Sequence, residues 1–237
     1  ANGSENVLLF SSASPDEGKT TIICNLAVAF AQTGKSVCLI DGDLRRSTLH
    51  KYFEVIDKEP GLSNFLARPD LNIEDVIQPT NVPGIIVIAS GLIPPQPGEL
   101  LGTLKMTAAL EQVGNKFDIV LVDSPPLLPV VDAAILAKQT GGGVVLVVNS
   151  SKTKTRTIRS AIATLKSANV YVLGAVLNKV KLPRFTYGYS YYYYENYKYS
   201  YYGDQDEDPT ADLNRVQIIG RKFTQWIRQI WTKIHTP

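Results

Sequence analysis

A single stretch decides the fold of this sequence: Ala13-Ser14-Pro15-Asp16-Glu17-Gly18-Lys19-Thr20-Thr21. It follows a short apolar run, Val7–Phe10, and precedes an apolar-periodic segment over residues 22–31. A phosphate-binding loop requires this order of strand, loop and helix, because loop N–H groups and the positive end of the helix both face the anion. In such a loop Lys19 reaches the β- and γ-phosphates, and the hydroxyl of Thr20 binds Mg²⁺. The stretch therefore predicts a site for a nucleotide and Mg²⁺.

Most of this loop is expected to contact the nucleotide. The predicted contact residues are Ser14, Asp16, Glu17, Gly18, Lys19, Thr20 and Thr21. Small residues suit such a loop because the chain wraps closely around an anion. Ala13 stands where these loops usually have glycine. The alternative, a chance Gly-Lys-Thr at the start of a helix, is disfavoured by the strand before it and the helix after it.

Length and composition indicate one globular domain of moderate size. The 237 residues are 44% hydrophobic and 19% charged, which suffices for a substantial core. A net charge of +2 does not favour nucleic acid as a partner. Cys24 and Cys38 lack C-x-x-C spacing and are expected to be reduced core residues. No apolar stretch approaches the 18 residues of a membrane-spanning helix, and the isolated His50 and His235 suggest no further metal site.

The pattern along the chain predicts an α/β fold. Apolar runs of strand length alternate with helical patterns, and several runs are continuous, as in strands buried on both faces. The predicted strands are 7–10, 37–40, 85–89, 119–122, 144–148 and 170–177, and the predicted helices lie near 19–33, 98–112, 132–139 and 155–168. Residues 54–84 are expected to form short helices and loops without a chemical role. The prediction is a doubly wound, mostly parallel sheet with helices on both faces.

Three acidic residues follow predicted strands. Asp41 and Asp43 come after the apolar run 37–40, and Asp123 comes after the run 119–122. Ligands bind beyond the carboxyl ends of the strands in such sheets, where carboxylates can hold a metal shell or accept a proton. The alternative is that each aspartate ends its strand by capping a turn. Three such acids beside one phosphate-binding loop favour a site.

These motifs resemble those of bacterial tyrosine kinases, the cytoplasmic kinase domains of polysaccharide co-polymerases. Ala13–Thr20, Asp41–Arg45 and Asp123–Pro125 look like the Walker A, Walker A′ and Walker B motifs of that family. The segment Gly91–Leu101 also resembles a family stretch, which usually has Asn where Gln stands here. The resemblance covers roughly residues 5–202.

The resemblance implies an ATP- and Mg²⁺-dependent tyrosine kinase with a deviant P-loop fold, unrelated to eukaryotic protein kinases. It implies that Lys19 and Thr20 bind phosphates and Mg²⁺. By the same resemblance, Asp43 and Asp123 hold the metal through its water shell. Asp41 is the expected base for the attacking tyrosine hydroxyl.

The nearest alternative is the class of partitioning and division-site ATPases, the ParA and MinD type, which shares this fold. Its members typically carry a second lysine at the place of Ser14, so the serine argues against that class. A rival from another class is a nucleotide-gated assembly module, in which ATP drives association and the tyrosines serve only as contacts. The kinase and the ATPase interpretations both place Asn178 near the adenine, where its amide can donate and accept. An equally open alternative is a polar residue that ends a strand.

Residues 183–208 are predicted to form a flexible tyrosine-rich tail behind a kinase domain of residues 1–182. The predicted phosphate acceptors are Tyr187, Tyr189, Tyr191, Tyr192, Tyr193, Tyr194, Tyr197, Tyr199, Tyr201 and Tyr202. An adhesive aromatic patch or a base-stacking surface are the alternatives, although stacking would normally bring a basic groove. The resemblance implies that this cluster is autophosphorylated, chiefly between neighbouring subunits.

Residues 209–237 have the pattern of an amphipathic basic helix. Its apolar residues recur at three- and four-residue steps: Val216, Ile219, Phe223, Ile227, Ile230 and Ile234. The helix is expected to pack on its own domain, join a partner or lie on an anionic membrane surface. Family members commonly stop soon after the tyrosines, so this segment is a departure.

The start of the chain is a second departure. Family members usually have a helix with a Glu-x-x-Arg-x-x-Arg motif for subunit contact before the first strand, and residues 1–6 contain none. We suspect an excised domain whose upstream membrane part is missing. The expected partners are other copies of the chain, as a ring in the full-length protein, and a membrane-embedded activator or N-terminal transmembrane part. The expected location is the cytoplasmic face of the bacterial inner membrane.

Overall fold

The sheet is the centre of the fold. The structure, a computed structural model, describes residues 6–53 and 59–181. In this part of the chain the strands are β1 (Val7–Ser12), β2 (Val37–Asp41), β3 (Ile77–Pro79), β4 (Ile85–Ile88), β5 (Ile119–Asp123), β6 (Val144–Asn149) and β7 (Val172–Asn178). They form one sheet in the order β3-β4-β2-β5-β1-β6-β7. Every neighbouring pair is parallel except β3 and β4.

Helices connect the parallel strands. They are α1 (Lys19–Gln32), α2 (Leu62–Ala67), α3 (Pro97–Leu101), α4 (Leu104–Lys116), α5 (Asp132–Thr140) and α6 (Thr155–Ser167), with short 3₁₀ turns at Leu49–Lys51 and Ile73–Val76. Helix α1 packs on β1, β2, β4 and β5, while α4 packs on β5 and α5 packs on β1. Helices α3, α4 and α6 each contact α5. The predicted doubly wound fold class is confirmed.

The central strands owe their continuous apolar sequences to burial on both faces. All residues of β1, β2 and β5 are buried. Val7 and Leu9 point into the core shared with α4, α5 and α6, and the residues between them serve the opposite face because side chains alternate along a strand. Cys24 and Cys38 are buried free thiols. Burial, with the charges of Asp123 and Asp41, raises the pKa of the Cys24 thiol to about 12.

Two details of the sequence prediction were wrong. Residues 77–79 were predicted to lie among helices and loops, but they form β3, an antiparallel edge strand too short to show a period of two. The helix predicted over 98–112 is two helices, because Thr103 caps a new start at α4. Its hydroxyl accepts from the Met106 N–H at 3.4 Å.

Helix α2 is fixed at its start by main-chain hydrogen bonds and at its end by the side chain of Lys105. The N–H groups of Leu62 and Ser63 donate to carbonyls that follow β4, at 2.7 and 2.9 Å. The ammonium group of Lys105 donates to the carbonyls of Phe65 and Arg68, both at 2.6 Å, near the end of this helix. It also lies 4.2 Å from the centroid of the Phe65 ring. The lysine therefore satisfies carbonyls that the short helix leaves without an intrahelical partner.

Residues 1–178 form one unit, and the chain from residue 179 onward is separate from it. The strands and helices given above all belong to the first unit. The predicted tyrosine tail and the predicted C-terminal helix lie outside the described residues. Within residues 6–53 and 59–181, none of the helices combines the length and apolar character needed to cross a membrane.

Candidate functional site

The phosphate-binding loop and the strand-end aspartates meet at the carboxyl edge of the sheet. The loop follows β1, which lies between β5 and β6. Asp41 ends β2 and Asp123 ends β5, and the two are paired residues in the register of these parallel strands. Asp123 is also paired with Phe10 of β1. The topology thus brings together the three motifs that the sequence analysis singled out.

The loop itself has the backbone of a tight anion-binding turn. Asp16 and Gly18 have left-handed backbone angles, with φ of 60° and 93°. Lys19 is the first residue of α1 and its side chain is buried, at 9% exposure. Asp16 and Thr21 are exposed, and the Thr21 hydroxyl lies 3.1 Å from that of Tyr52. The exposed end of the loop and the lysine at the helix start are the parts that can meet phosphates.

Thr20 and Asp123 form the part of the site suited to a metal ion. The Thr20 hydroxyl donates to Oδ2 of Asp123 at 2.6 Å. Oδ1 of Asp123 is buried without a hydrogen-bond partner, the one such side-chain atom in the described ranges. A buried carboxylate oxygen without a donor, beside a hydroxyl oxygen, offers the hard oxygen ligands that Mg²⁺ prefers. The residues present therefore fit Mg²⁺.

The pKa of Asp123 is raised to about 6. Burial is the largest cause, and the charge of Asp43 adds to it, while the Thr20 hydrogen bond and the charge of Lys19 oppose it. Within residues 6–53 and 59–181 no group of three or more His, Cys, Asp or Glu side chains is placed to chelate a metal. Mg²⁺ typically takes one or two carboxylates and completes its shell with phosphates and water.

Asp41 is a buried carboxylate with donors on both oxygens. Oδ2 accepts from the Ser47 hydroxyl at 2.7 Å and from the Leu49 N–H at 3.3 Å, and Oδ1 accepts from the Asp43 N–H at 3.3 Å. Burial, followed by the charge of Asp123, raises the pKa of Asp41 to about 7. A carboxyl group whose pKa lies near neutrality can accept a proton and release it again.

The loop after Asp41 folds back on itself through Asp43. Oδ1 of Asp43 accepts from the N–H groups of Arg45 and Arg46, at 3.2 and 2.9 Å. Between the two aspartates, the Gly42 N–H donates to the carbonyl of Asp123 at 2.8 Å. A Cβ at Gly42 would lie 2.7 Å from that carbonyl oxygen, so only glycine allows this approach. The glycine ties the motif after β2 to the motif after β5.

Arg45 connects this loop to helix α5. Its Nε donates to Oδ2 of Asp132 at 2.6 Å, and one terminal nitrogen donates to Oδ1 at 3.2 Å. The carboxylate of Asp132 is buried whereas the Arg45 side chain is 45% exposed. The two-pronged geometry fixes the arginine better than a single contact would. This pairing could not be predicted from the sequence, because 87 positions separate the two residues.

Glu17 differs from the rest of the loop because its carboxylate faces the protein. The side chain is 2% exposed. Oε2 accepts from the Ser14 N–H at 2.9 Å and Oε1 accepts from the Asn149 N–H at 3.1 Å. The Thr153 hydroxyl also donates to Oε1. The nucleotide contacts predicted for Ser14 and Glu17 stay predictions, and one from Glu17 would have to use its main chain.

Asn178 lies at the end of β7, and its amide NH₂ donates to the carbonyl of Glu17 at 2.9 Å. This side chain therefore supports the phosphate-binding loop. Its predicted contact with adenine stays a prediction. Asn149, which sequence reasoning did not single out, ends β6 in the same way that Asn178 ends β7. An asparagine at two successive strand ends was the signal that could have drawn attention to it.

Comparison with known proteins gives the family. The model of a family described as AAA domain matches residues 15–172. Tyrosine-protein kinase ptk of Acinetobacter johnsonii is 39% identical over 184 residues, which are 78% of this chain and 24% of that protein. Tyrosine-protein kinase YwqD of Bacillus subtilis is 39% identical over 183 residues, 77% of this chain and 76% of that one. The chain thus spans about a quarter of ptk and about three quarters of YwqD.

Solved structures agree on the fold. The kinase domain of Escherichia coli tyrosine kinase ETK superposes with a TM-score of 0.71 at 36% identity, over 80% of this chain and 74% of that one. The cell division ATPase MinD of Pyrococcus furiosus superposes with a TM-score of 0.63 at 27% identity, over 90% and 80%. The tyrosine kinases and the MinD-type ATPases thus share this architecture. The two relatives compared by sequence are tyrosine kinases. The chain belongs to the bacterial tyrosine kinase family, whose members are phosphotransferases.

Proposed function

We propose that this chain transfers the terminal phosphoryl group of ATP to tyrosine side chains of its own C-terminal segment. The observation that carries the proposal is the pairing of Asp41 with Asp123 at neighbouring strand ends, beside the loop that ends in Lys19 and Thr20. Family membership supports the same reaction. Phosphoryl transfer needs little covalent help, so positioning and charge neutralisation can supply most of the catalysis.

Lys19 and the N-terminus of α1 bind the phosphates in this proposal. Lys19 is buried next to Asp123, whose charge it compensates in part. Thr20 would bind Mg²⁺ through its hydroxyl, and Asp43 and Asp123 would hold the ion through its water shell. When bound, the ion neutralises charge on the phosphates.

Asp41 acts as the general base. The phenol oxygen attacks the γ-phosphorus while its proton passes to a carboxylate oxygen of Asp41. The new bond joins the tyrosine oxygen to phosphorus, the bond between the γ-phosphorus and the β,γ-bridging oxygen breaks, and ADP leaves. The raised pKa of Asp41 matches this role, because the carboxylate holds a proton readily and still ionises near pH 7.

The acceptors are the ten tyrosines between Tyr187 and Tyr202, which lie outside the described residues. Transfer occurs mainly between copies, so the chain is its own partner in a homo-oligomer. Each phosphate adds roughly −1.5 to −2 charges near neutral pH. Several on one short tail repel one another, and the phosphorylated copies dissociate. Comparing the molecular mass in solution before and after ATP treatment tests this step, and an unchanged mass would contradict it.

The wider setting is the synthesis and export of capsular polysaccharide or exopolysaccharide. In this setting the kinase lies on the cytoplasmic face of the inner membrane and responds to a membrane-embedded activator or an N-terminal transmembrane part. The domain limits of 1–182, 183–208 and 209–237 belong to the same proposal. Family membership is what supports this setting.

The deciding experiment is mass spectrometry of the tail after incubation with ATP and Mg²⁺. We expect phosphotyrosine between Tyr187 and Tyr202 in the natural sequence and none in Lys19→Met. Thermal unfolding of the variant serves as the control for its fold. Phosphotyrosine that persists in Lys19→Met would refute the assignment of the site. ATP-dependent association without any phosphotyrosine would favour a nucleotide-gated assembly module instead.

A further inference from the structure

The carboxylate of Glu17 is a buried group that has no part in the proposed reaction. It lies in the middle of the phosphate-binding loop, yet it is turned away from solvent. A carboxylate in an anion-binding loop repels phosphate, so its presence there calls for a structural reason. Its three partners, the N–H groups of Ser14 and Asn149 and the hydroxyl of Thr153, indicate what that reason is.

The first contact closes the loop on itself. The Ser14 N–H donates to Oε2 of a residue three positions later, so the carboxylate spans the turn from inside. Asp16 and Gly18, which flank Glu17, are both left-handed. A left-handed residue other than glycine costs conformational free energy, and surrounding contacts have to hold it. The Glu17 carboxylate supplies such a contact between the two left-handed positions.

The other contacts join the loop to two strand ends. Asn149 is the last residue of β6, and Thr153 follows in the turn that leads to α6. The amide of Asn178, at the end of β7, donates to the main-chain carbonyl of Glu17. One residue therefore fixes the phosphate-binding loop relative to the ends of β6 and β7. The end of β7, at Asn178, is where the adenine was expected from the sequence.

We propose that Glu17 is a positioning residue that sets nucleotide affinity by holding the loop in its binding conformation before the nucleotide arrives. Without the carboxylate the loop relaxes locally, and only a fraction of the molecules then hold it in the conformation that binds nucleotide. The apparent Kd equals the intrinsic Kd divided by that fraction, so it rises. The proposal rests on the proposed function only in that a nucleotide binds at this loop.

Glu17→Gln is the most informative substitution because it changes charge and hydrogen bonding without changing size. One oxygen of Glu17 faces the Ser14 N–H and the other faces the Asn149 N–H. A glutamine in either orientation presents its NH₂ to one of these N–H donors. Backbone donors cannot reverse, so one buried donor is left without an acceptor.

The measurement is a direct titration with ADP, independent of phosphoryl transfer. We expect Glu17→Gln to raise the Kd for ADP roughly 5- to 100-fold, the equivalent of one unpaired buried donor. The KM for ATP should rise in parallel while kcat at saturating ATP stays within about twofold. Glu111→Gln, on the exposed side of α4, is the matched control and should leave the Kd unchanged.

Thr153 provides a second test if Glu17→Gln folds poorly. Thr153→Val removes the hydroxyl and is expected to weaken ADP binding at least threefold. Thr153→Ser keeps the hydroxyl and is expected to bind ADP as the natural chain does. Equal ADP affinity of the natural chain and all of these variants would overturn the proposal, as would a lowered unfolding temperature with no change in Kd. Tail phosphorylation is scored separately, so ADP binding without kinase activity would refute the proposed function and leave the role of Glu17 standing.

Discussion

Asp41 and Asp123 are directly paired across the parallel strands β2 and β5, so two buried carboxylates lie side by side at one edge of the sheet. Each has a raised pKa, and the charge of Asp123 contributes to the shift of Asp41. The described residues compensate part of the Asp123 charge through Lys19 and Thr20. A carboxylate pair of this kind is unfavourable in the free protein and becomes favourable when a cation enters, as in other sites that depend on metals.

The first prediction concerns the stability of the metal-free protein as pH changes. The pKa of Asp41 is raised from an unfolded value of 3.8 to about 7, so the folded state binds the extra proton between these values. Its contribution to stability is full below pH ~4 and is lost as the pH rises through ~7. Asp41→Asn removes this loss, so the variant should gain stability relative to the natural chain between pH 5 and pH 8.

Urea unfolding in the presence of a chelator measures this difference. Asparagine keeps one acceptor oxygen in place of two, which adds an offset that does not vary with pH. Asp123, with a pKa of about 6, keeps its own pH dependence in both proteins. Glu111→Gln serves as the control, with no pH-dependent difference expected. A constant difference between Asp41→Asn and the natural chain would show that the Asp41 carboxyl does not titrate in this range.

The second prediction separates phosphoryl transfer from nucleotide binding. Asp41→Asn removes the proposed base, and general bases typically contribute about 10²- to 10⁴-fold to a rate. We expect kcat for tail phosphorylation to fall by about this factor while the Kd for ADP changes less than about threefold. Quantifying phosphotyrosine over time beside an ADP titration provides both numbers. Equal losses of transfer and binding would assign Asp41 to nucleotide binding instead.

The third prediction concerns the ion pair between Arg45 and Asp132. Because Asp132 is buried, removing the arginine leaves a charge without its partner, while removing both residues does not. Arg45→Gln should therefore destabilise the natural chain more than it destabilises a chain that already carries Asp132→Asn. We expect a coupling of roughly 1 to 2 kcal/mol from denaturant unfolding of the full cycle, reduced from the buried limit because the arginine is half exposed. Simple additivity would mean that the pair contributes nothing.

Much of the fold followed from residue patterns. Six parallel strands were predictable because central strands of such a sheet are buried on both faces and therefore carry continuous apolar runs. The strand-end acids Asp41 and Asp123 then had to meet, since parallel strands end at the same edge. Strand β3 was missed because three residues at a sheet edge carry no periodic signal.

The orientation of the side chains within the site could not be predicted from the sequence. Nothing in a loop of polar residues tells whether a carboxylate faces the ligand or the protein, so the inward orientation of the Glu17 side chain could not be predicted. Arg45 and Asp132 are 87 positions apart in the sequence, and only the folded protein brings them into contact. Local pattern therefore located the site, while tertiary contacts decide which of its residues bind and which support.

The last prediction concerns the lysine that holds α2. Lys105 donates to carbonyls at the end of this helix and lies over the Phe65 ring, so Lys105→Met keeps the aliphatic stem but removes the donor. Hydrogen bonds to charged groups contribute roughly 1.5 to 3 kcal/mol, and we expect a loss of about 2 kcal/mol in the free energy of unfolding. Lys116→Met on the same helix is the control. Its amine lies 3.9 Å from a Glu74 carboxylate oxygen with both side chains exposed, so its loss should stay below about 0.5 kcal/mol. Equal effects of the two substitutions in urea unfolding would mean that the carbonyls at the end of α2 do not depend on Lys105.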